Sequence, residues 1–323
     1  MSVVLQFSAA DVGRLLTPRA CIDAVEAAFR QLAQGGLPAP GILGLHAGEG
    51  GFHIKAALLQ ADRPYFAAKV NANFPGNPGR GLPTIQGIVY LCDAANGSPL
   101  AVMDSGAITA LRTAAASAVA AKHLALRACD SALICGCGAQ ALAQVRALLE
   151  VRQPKRWLAY DRDAARAAAF AAAASAGLGI EMAPTTDLRH AVGESRIVIT
   201  CTTAQRFIIA LEMVRPGTFI AAVGADSENK QEIDPRLMAD ANVVTDLTAQ
   251  AAAIGDLHHA IEAGAMKAGD VHAELADLVA GRRPGRSNDE EIFVFDSTGT
   301  GLQDVAAAIA AYRSHVHANR RSA

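Results

Sequence analysis

Aromatic residues make up only 5% of this 323-residue chain, with a single tryptophan, and charged residues only 19%. Neither sign of charge dominates, since 29 Lys and Arg stand against 31 Asp and Glu. Without a basic field nothing recruits nucleic acid or an anionic membrane surface, so the expected partner is a small molecule. No apolar run approaches the ~20 residues of a membrane span. The opening "MSVVLQFSAADVGRLL" lacks the basic-then-apolar order of a cleaved leader, and the chain reads as cytoplasmic. Its six cysteines, at 21, 92, 129, 135, 137 and 201, form no C-x-x-C pair. Its nine histidines show no H-E-x-x-H or Cys/His ligand spacing. Buried free thiols and no metal site are the expectation.

What the chain has in quantity is alanine. Stretches such as "AARAAAFAAAASAGLG" (164–179) read as helices, because Ala has the best helix propensity and the interleaved Arg and Phe mark opposite faces. From about residue 130 short apolar runs alternate with such helices: "SALICG", "RWLAYD", "SRIVITCTT", "GTFIAAVGA" and "NVVTD" read as strands. That alternation predicts βαβ crossovers and a parallel, doubly wound sheet. The first third differs. After the helix "CIDAVEAAFRQLAQGG", the runs "GFHIKAALL", "YFAAKVNANF", "TIQGIVYLCDA" and "PLAVMD" follow one another across short turns, which suits an antiparallel or mixed sheet. The fold class expected is α/β, a Rossmann-type sheet plus an α+β N-terminal domain, with "ITALRTAAASAVAAKHLA" as the helix between them.

Gly136-Cys137-Gly138-Ala139-Gln140-Ala141 fits G-x-G-x-x-A between a strand and a helix. Gly136 would make the tight turn, Gly138 would admit a pyrophosphate, and Ala141 would let the helix pack on the sheet, with phosphates received at the helix N-terminus. Asp161 ends the next strand near the ~20-residue offset of a ribose-binding acid, which favours NAD(H) over NADP(H). Arg162 beside it could offset part of that preference and leaves NADP(H) open. Thr202 in "TCTTA", Val223 in "VGAD", and Ser297 to Gly299 in "FDSTGTGLQD" fall after strands, where nicotinamide-lining residues belong.

Three charged residues stand out. Lys69 lies in an apolar strand, either on its solvent face or facing inward, where a lysine has to be paired or catalytic. Arg112 sits among small residues, suited to gripping a carboxylate or to an interdomain ion pair. Asp226, after a strand end, is either a turn former or a proton shuttle.

Taken in order, Lys69, "NFPGN", "GLPT", "ALRTAAASAVAAKHLA", "GCGAQA", "VGAD" and "FDSTGTGLQDVAAA" make the chain resemble the ornithine cyclodeaminase/mu-crystallin family over residues 1–315. The resemblance implies a substrate-binding and dimerisation domain at 1–115, rejoined by 301–323, a NAD(P)-binding domain at 116–300, and a homodimer. It also implies that Lys69 and Arg112 bind a substrate carboxylate and that Asp226 serves a proton or water step. The cofactor would be held by Gly136, Gly138, Ala139, Gln140, Ala141, Asp161, Arg162, Thr202, Val223, Ser297 and Gly299. Ornithine-processing members carry an early arginine and a glutamate one strand before the lysine. Here "LPAPGILGLH" and "FHIKAALL" supply neither. His53 and Lys55 could instead hold a carboxylate. The segment around Lys69 is similar to members that reduce cyclic imino acids such as Δ1-pyrroline-2-carboxylate. Ornithine cyclodeaminase, alanine or other amino-acid dehydrogenase, and a mu-crystallin-like binding protein are the alternatives.

Overall fold

A computed structural model describes residues 4–322. The chain divides into two compact units, residues 1–112 with 300–323, and residues 113–299. Among the described residues no helix is long and apolar enough to cross a membrane.

In the first unit six strands, β1 (Leu5–Phe7), β2 (Gly41–Ala47), β3 (Gly50–Gln60), β4 (Pro64–Asn73), β5 (Ile85–Asp93) and β6 (Pro99–Asp104), form one mixed sheet in the order β1-β6-β5-β4-β3-β2. Only β1 runs parallel to its neighbour, β6. Alternation separates the two faces. Ala57, Leu59, Tyr65, Ala67, Val89, Leu91 and Met103 are buried, and the helices Pro18–Gln34 and Gly301–Ser322 pack in this unit. The last helix begins hard against β3, where a Cβ on Gly301 would lie 2.7 Å from the Ala56 carbonyl. The opposite face carries Leu43, Leu45, Phe52 and Ile88, all exposed. Strand β2 departs from the sequence expectation. Its "GILGLHA" follows a Pro/Gly-rich run and is exposed along its length, so it pairs without the apolar alternation that marks a half-buried strand.

The second unit contains β7 (Ser131–Cys135), β8 (Arg156–Tyr160), β9 (Met182–Thr185), β10 (Ile197–Thr200), β11 (Gln205–Ile209), β12 (Phe219–Ala222), β13 (Gln231–Ile233), β14 (Asn242–Thr245), β15 (Ala273–Glu274) and β16 (Phe293–Asp296). Eight of them make a fully parallel sheet in the order β15-β14-β16-β12-β10-β7-β8-β9, while β11 and β13 pair separately. The central strands β7, β10, β12 and β16 are buried at every position, which is why they read as unbroken apolar runs. The helix Ala164–Leu178 starts at Asp163, whose carboxylate accepts the Ala165 and Arg166 amides, and stops at left-handed Gly179. The chain leaves β7 toward β8 and β9, then returns on the other side as β10. Strand order therefore reverses between β7 and β10, and ligands of such sheets bind beyond the carboxyl ends there.

Candidate active site

At that reversal point Gly136 has φ of +96°, and a Cβ on it would come within 2.9 Å of the Cys201 carbonyl and of Thr202. Only glycine lets the turn pass this close to the end of β10. At Gly138 an added Cβ would meet nothing within 4 Å, so the turn opens onto free space. Gly138 and Ala139 are exposed there, Ala141 is buried as the first residue of the helix Ala141–Leu149, and the Gln140 Oε1 is buried without a partner. Asp161 accepts the Cys137 amide through Oδ2 and the Asp163 amide through Oδ1, both at 2.9 Å. It thus braces the glycine turn and retains lone pairs for a further donor. Arg162 is exposed, and the guanidinium that approaches Asp161 is that of Arg166, at 3.9 Å. An open glycine turn leading into a helix, with a braced acid beside it, fits a dinucleotide's phosphates and ribose. Burial and Asp161 push Cys137 up to about 12, and burial raises Cys135 as well.

The loops that border this turn are held by acids that sequence reading did not single out. Glu232, fully buried on β13, accepts the Thr202 amide and hydroxyl through Oε1 and the Thr200 hydroxyl and Gly224 amide through Oε2, all at 2.7–2.8 Å. One carboxylate therefore ties the end of β10 to the end of β12. Its own amide and that of Ile233 donate to Asp256 Oδ1. Asp246 accepts the Ser297 and Thr298 hydroxyls and the Gly299 amide. Ser297 is thus buried, with its hydroxyl directed at Asp246. Val223 is buried and donates its amide to Thr200. Asp296 accepts the Leu257 amide. Burial pushes Asp296 up to about 7 and Asp256 well above its ordinary range, with their mutual repulsion adding to the effect at Asp256. Two neighbouring buried carboxyls cannot both ionise cheaply. Asp226 is exposed, and its Oδ1 lies 2.6 Å from Lys230 Nζ.

In the first unit the structure brings Lys69 and Arg112 together. Lys69, on β4, is only 3% exposed, which decides for the inward reading. Its ammonium donates to Asp304 Oδ1 at 2.9 Å and to the Thr109 hydroxyl at 3.3 Å. Arg112 donates to the same Asp304 oxygen at 3.0 Å and to Gln303 Oε1 at 2.8 Å. "GTGLQD" therefore divides: Gly301 onward is helix, and its Asp304 anchors the two cations. Burial and the Arg112 charge lower Lys69 to about 7, against the pull of Asp304. Burial alone would raise Asp304, but Lys69 and Arg112 hold it below the carboxylate range. Lys55 faces Lys69 across the β3–β4 register, and its charge reaches both Lys69 and Asp304. His53, opposite Asn71, is exposed. Sequence reading missed Asp304 as the partner because 235 positions separate it from Lys69.

A glycine turn at the reversal of a parallel sheet and a buried cationic cluster in the companion unit define a nicotinamide-dependent oxidoreductase. The model of the ornithine cyclodeaminase/mu-crystallin family matches residues 3–319, and the chain belongs to that family. It is similar to the structure of Thermococcus litoralis Δ1-pyrroline-2-carboxylate reductase in complex with NADH and L-proline. That match has 34% identity and a TM-score of 0.92 over 98% of both chains. An archaeal alanine dehydrogenase dimer with bound NAD superposes with a TM-score of 0.93 at 34% identity, covering 98% of this chain and 97% of that one. The iminosuccinate reductase of Paracoccus denitrificans is 34% identical, across 92% of each chain.

Proposed function

We propose that the protein reduces a cyclic imino acid such as Δ1-pyrroline-2-carboxylate to L-proline, with NADH as the reductant. The observation that carries this reading is the charge balance at Lys69. Two buried basic groups share one buried anion, so with Lys69 protonated one positive charge is left to be met by a substrate carboxylate. A substrate with a distal ammonium, such as ornithine, would need an acid nearby, and β3 (Gly50–Gln60) contains none.

Gly136 to Ala141, with Asp161 at the ribose, would hold NADH, which would supply the hydride for the C=N carbon. Thr202, Val223, Ser297 and Gly299 belong to the loops assigned to its nicotinamide end. Lys69 and Arg112 grip the carboxylate and so orient the imine carbon, a contribution of geometry rather than of covalent chemistry. Asp304 keeps both cations aimed and offsets their mutual repulsion. An arriving carboxylate favours the charged form of Lys69, so binding draws a proton onto its Nζ. Asp226 serves the proton that the product nitrogen needs.

Lys55 favours a second reading, in which a dicarboxylic imine such as iminosuccinate places its second carboxylate beside that ammonium. The exposed apolar face of the first unit, with Leu43, Leu45, Phe52 and Ile88, supports association of two copies.

The test is consumption of NADH and NADPH with each imine, beside ammonia release from L-ornithine with NAD. The expected result is NADH-dependent reduction of the pyrroline that Lys69→Met abolishes while cofactor binding persists. Ammonia release without imine reduction would overturn the reading in favour of a cyclodeaminase.

A further inference from the structure

The helix Asp256–Glu262 carries two adjacent histidines whose tautomers are set by backbone carbonyls. His258 Nδ1 lies 3.3 Å from the Ala252 carbonyl oxygen, and His259 Nε2 lies 2.9 Å from that of Lys230. A carbonyl oxygen only accepts, so the proton of each neutral ring sits on these nitrogens. The lone pairs are then left on His258 Nε2 and His259 Nδ1. Both point to the same carboxylate: His258 Nε2 is 3.5 Å and His259 Nδ1 is 3.8 Å from Glu262 Oε2. All three donor atoms lie within 4.8 Å of one another.

The two distances to Glu262 are close to the ligand spacing in a metal's coordination shell, and the two ring nitrogens lie within 4.8 Å of each other. Zinc binds imidazole nitrogen and carboxylate oxygen at about 2.0–2.2 Å, so ligands at tetrahedral corners stand about 3.3–3.6 Å apart. The two distances to Glu262 need little change, and the exposed Glu262 side chain is free to make it. A backbone carbonyl behind each ring is also the usual support of a ligating histidine, because it fixes both tautomer and ring orientation.

We propose that His258, His259 and Glu262 form a binding site for a zinc-like divalent transition-metal ion. Two imidazoles and one carboxylate select zinc, cobalt, nickel or copper over magnesium and calcium, which prefer all-oxygen shells. Water completes the coordination on the exposed side. The ion acts as a structural brace. His259 reaches through its other nitrogen to Lys230, whose ammonium holds Asp226, and the same helix starts at Asp256, which holds Glu232. A bound ion would therefore fasten the helix to the segment between Asp226 and β13. None of these ligands belongs to the proposed reduction chemistry, so the site stands or falls independently of the substrate.

The experiment is calorimetric titration of the chelator-stripped full chain with zinc chloride, with magnesium chloride in parallel and thermal melting of each mixture. One equivalent of zinc should bind saturably and raise the melting temperature, and magnesium should do neither. His258→Ala and Glu262→Gln should each weaken zinc binding at least about tenfold and remove the thermal gain. Both changes are at partly or fully exposed side chains, and melting of the metal-free variants reports that they fold. The site is overturned if zinc shows no saturable uptake, if magnesium binds equally well, or if uptake is unchanged in His258→Ala, which would place the ion elsewhere.

Discussion

The two units bury charge in opposite ways. In the first, Lys69 and Arg112 converge on Asp304, two cations to one anion. In the second, Glu232, Asp246, Asp256 and Asp296 are all buried acids, satisfied mainly by backbone amides and hydroxyls. The mixed cluster is left with charge to offer a ligand. The acidic cluster spends its hydrogen bonds on its own loops, and burial raises Asp256 and Asp296. A buried ionisable group thus serves recognition where its charge is unbalanced and architecture where it gathers the amides and hydroxyls of its own loops.

Removing the anion from the mixed cluster should have the largest effect. Asp304→Asn leaves two buried cations facing each other and should cost about 3 kcal/mol of stability, read by urea unfolding. Imine turnover should fall with it. If stability is unchanged, Asp304 does not balance these cations.

In the acidic cluster, Glu232→Gln keeps the size of the side chain but presents an amide N–H to a donor, Gly224 or Thr202. NADH affinity should drop about tenfold, measured by fluorescence titration, while the fold persists. An unchanged affinity would mean that Glu232 supports the fold alone.

The clusters should also respond to pH with opposite sign. Lys69 is lowered from 10.5 to about 7, so the folded state binds fewer protons between those values. Its contribution to stability is full above 10.5 and is lost as pH falls to about 7. Asp296 is raised from 3.8 to about 7, so its contribution is full below 3.8 and is lost as pH rises through about 7. Asp296→Asn should therefore flatten the stability profile between pH 4 and 7 without touching the alkaline side, as followed by chemical denaturation across pH.

The smallest effect concerns catalysis near neutrality. The value of kcat/KM for the imino acid should decline as pH rises through about 7, because free enzyme with neutral Lys69 grips a carboxylate poorly. Lys69→Arg should abolish that limb. Its persistence in the variant would assign the limb to another group.

Much of the fold was legible because its signals are local. The glycine turn at Gly136, the alanine-rich helix within 164–179, and the unbroken apolar runs of β7, β10 and β12 are each set by near neighbours. Strand β2 was not legible, since an exposed strand carries no apolar alternation. Lys69 and Arg112 could be singled out by type and setting, but their meeting at Asp304 could not. Glu232 in "NKQEID" was not singled out, because its burial and its four donors, which give it a task, are set by the fold.

By itself the sequence determined the parallel and mixed sheets, the dinucleotide turn and the types of residue available for chemistry, because propensity, capping and turn geometry act between near neighbours. Only the tertiary structure decided which charges meet. Lys69 and Asp304, 235 positions apart, became an ion pair, and Asp256 and Asp296 came to lie buried close enough for the Asp296 charge to raise Asp256. Coulomb energy depends on separation in space and desolvation on burial, and neither quantity exists until the chain has folded.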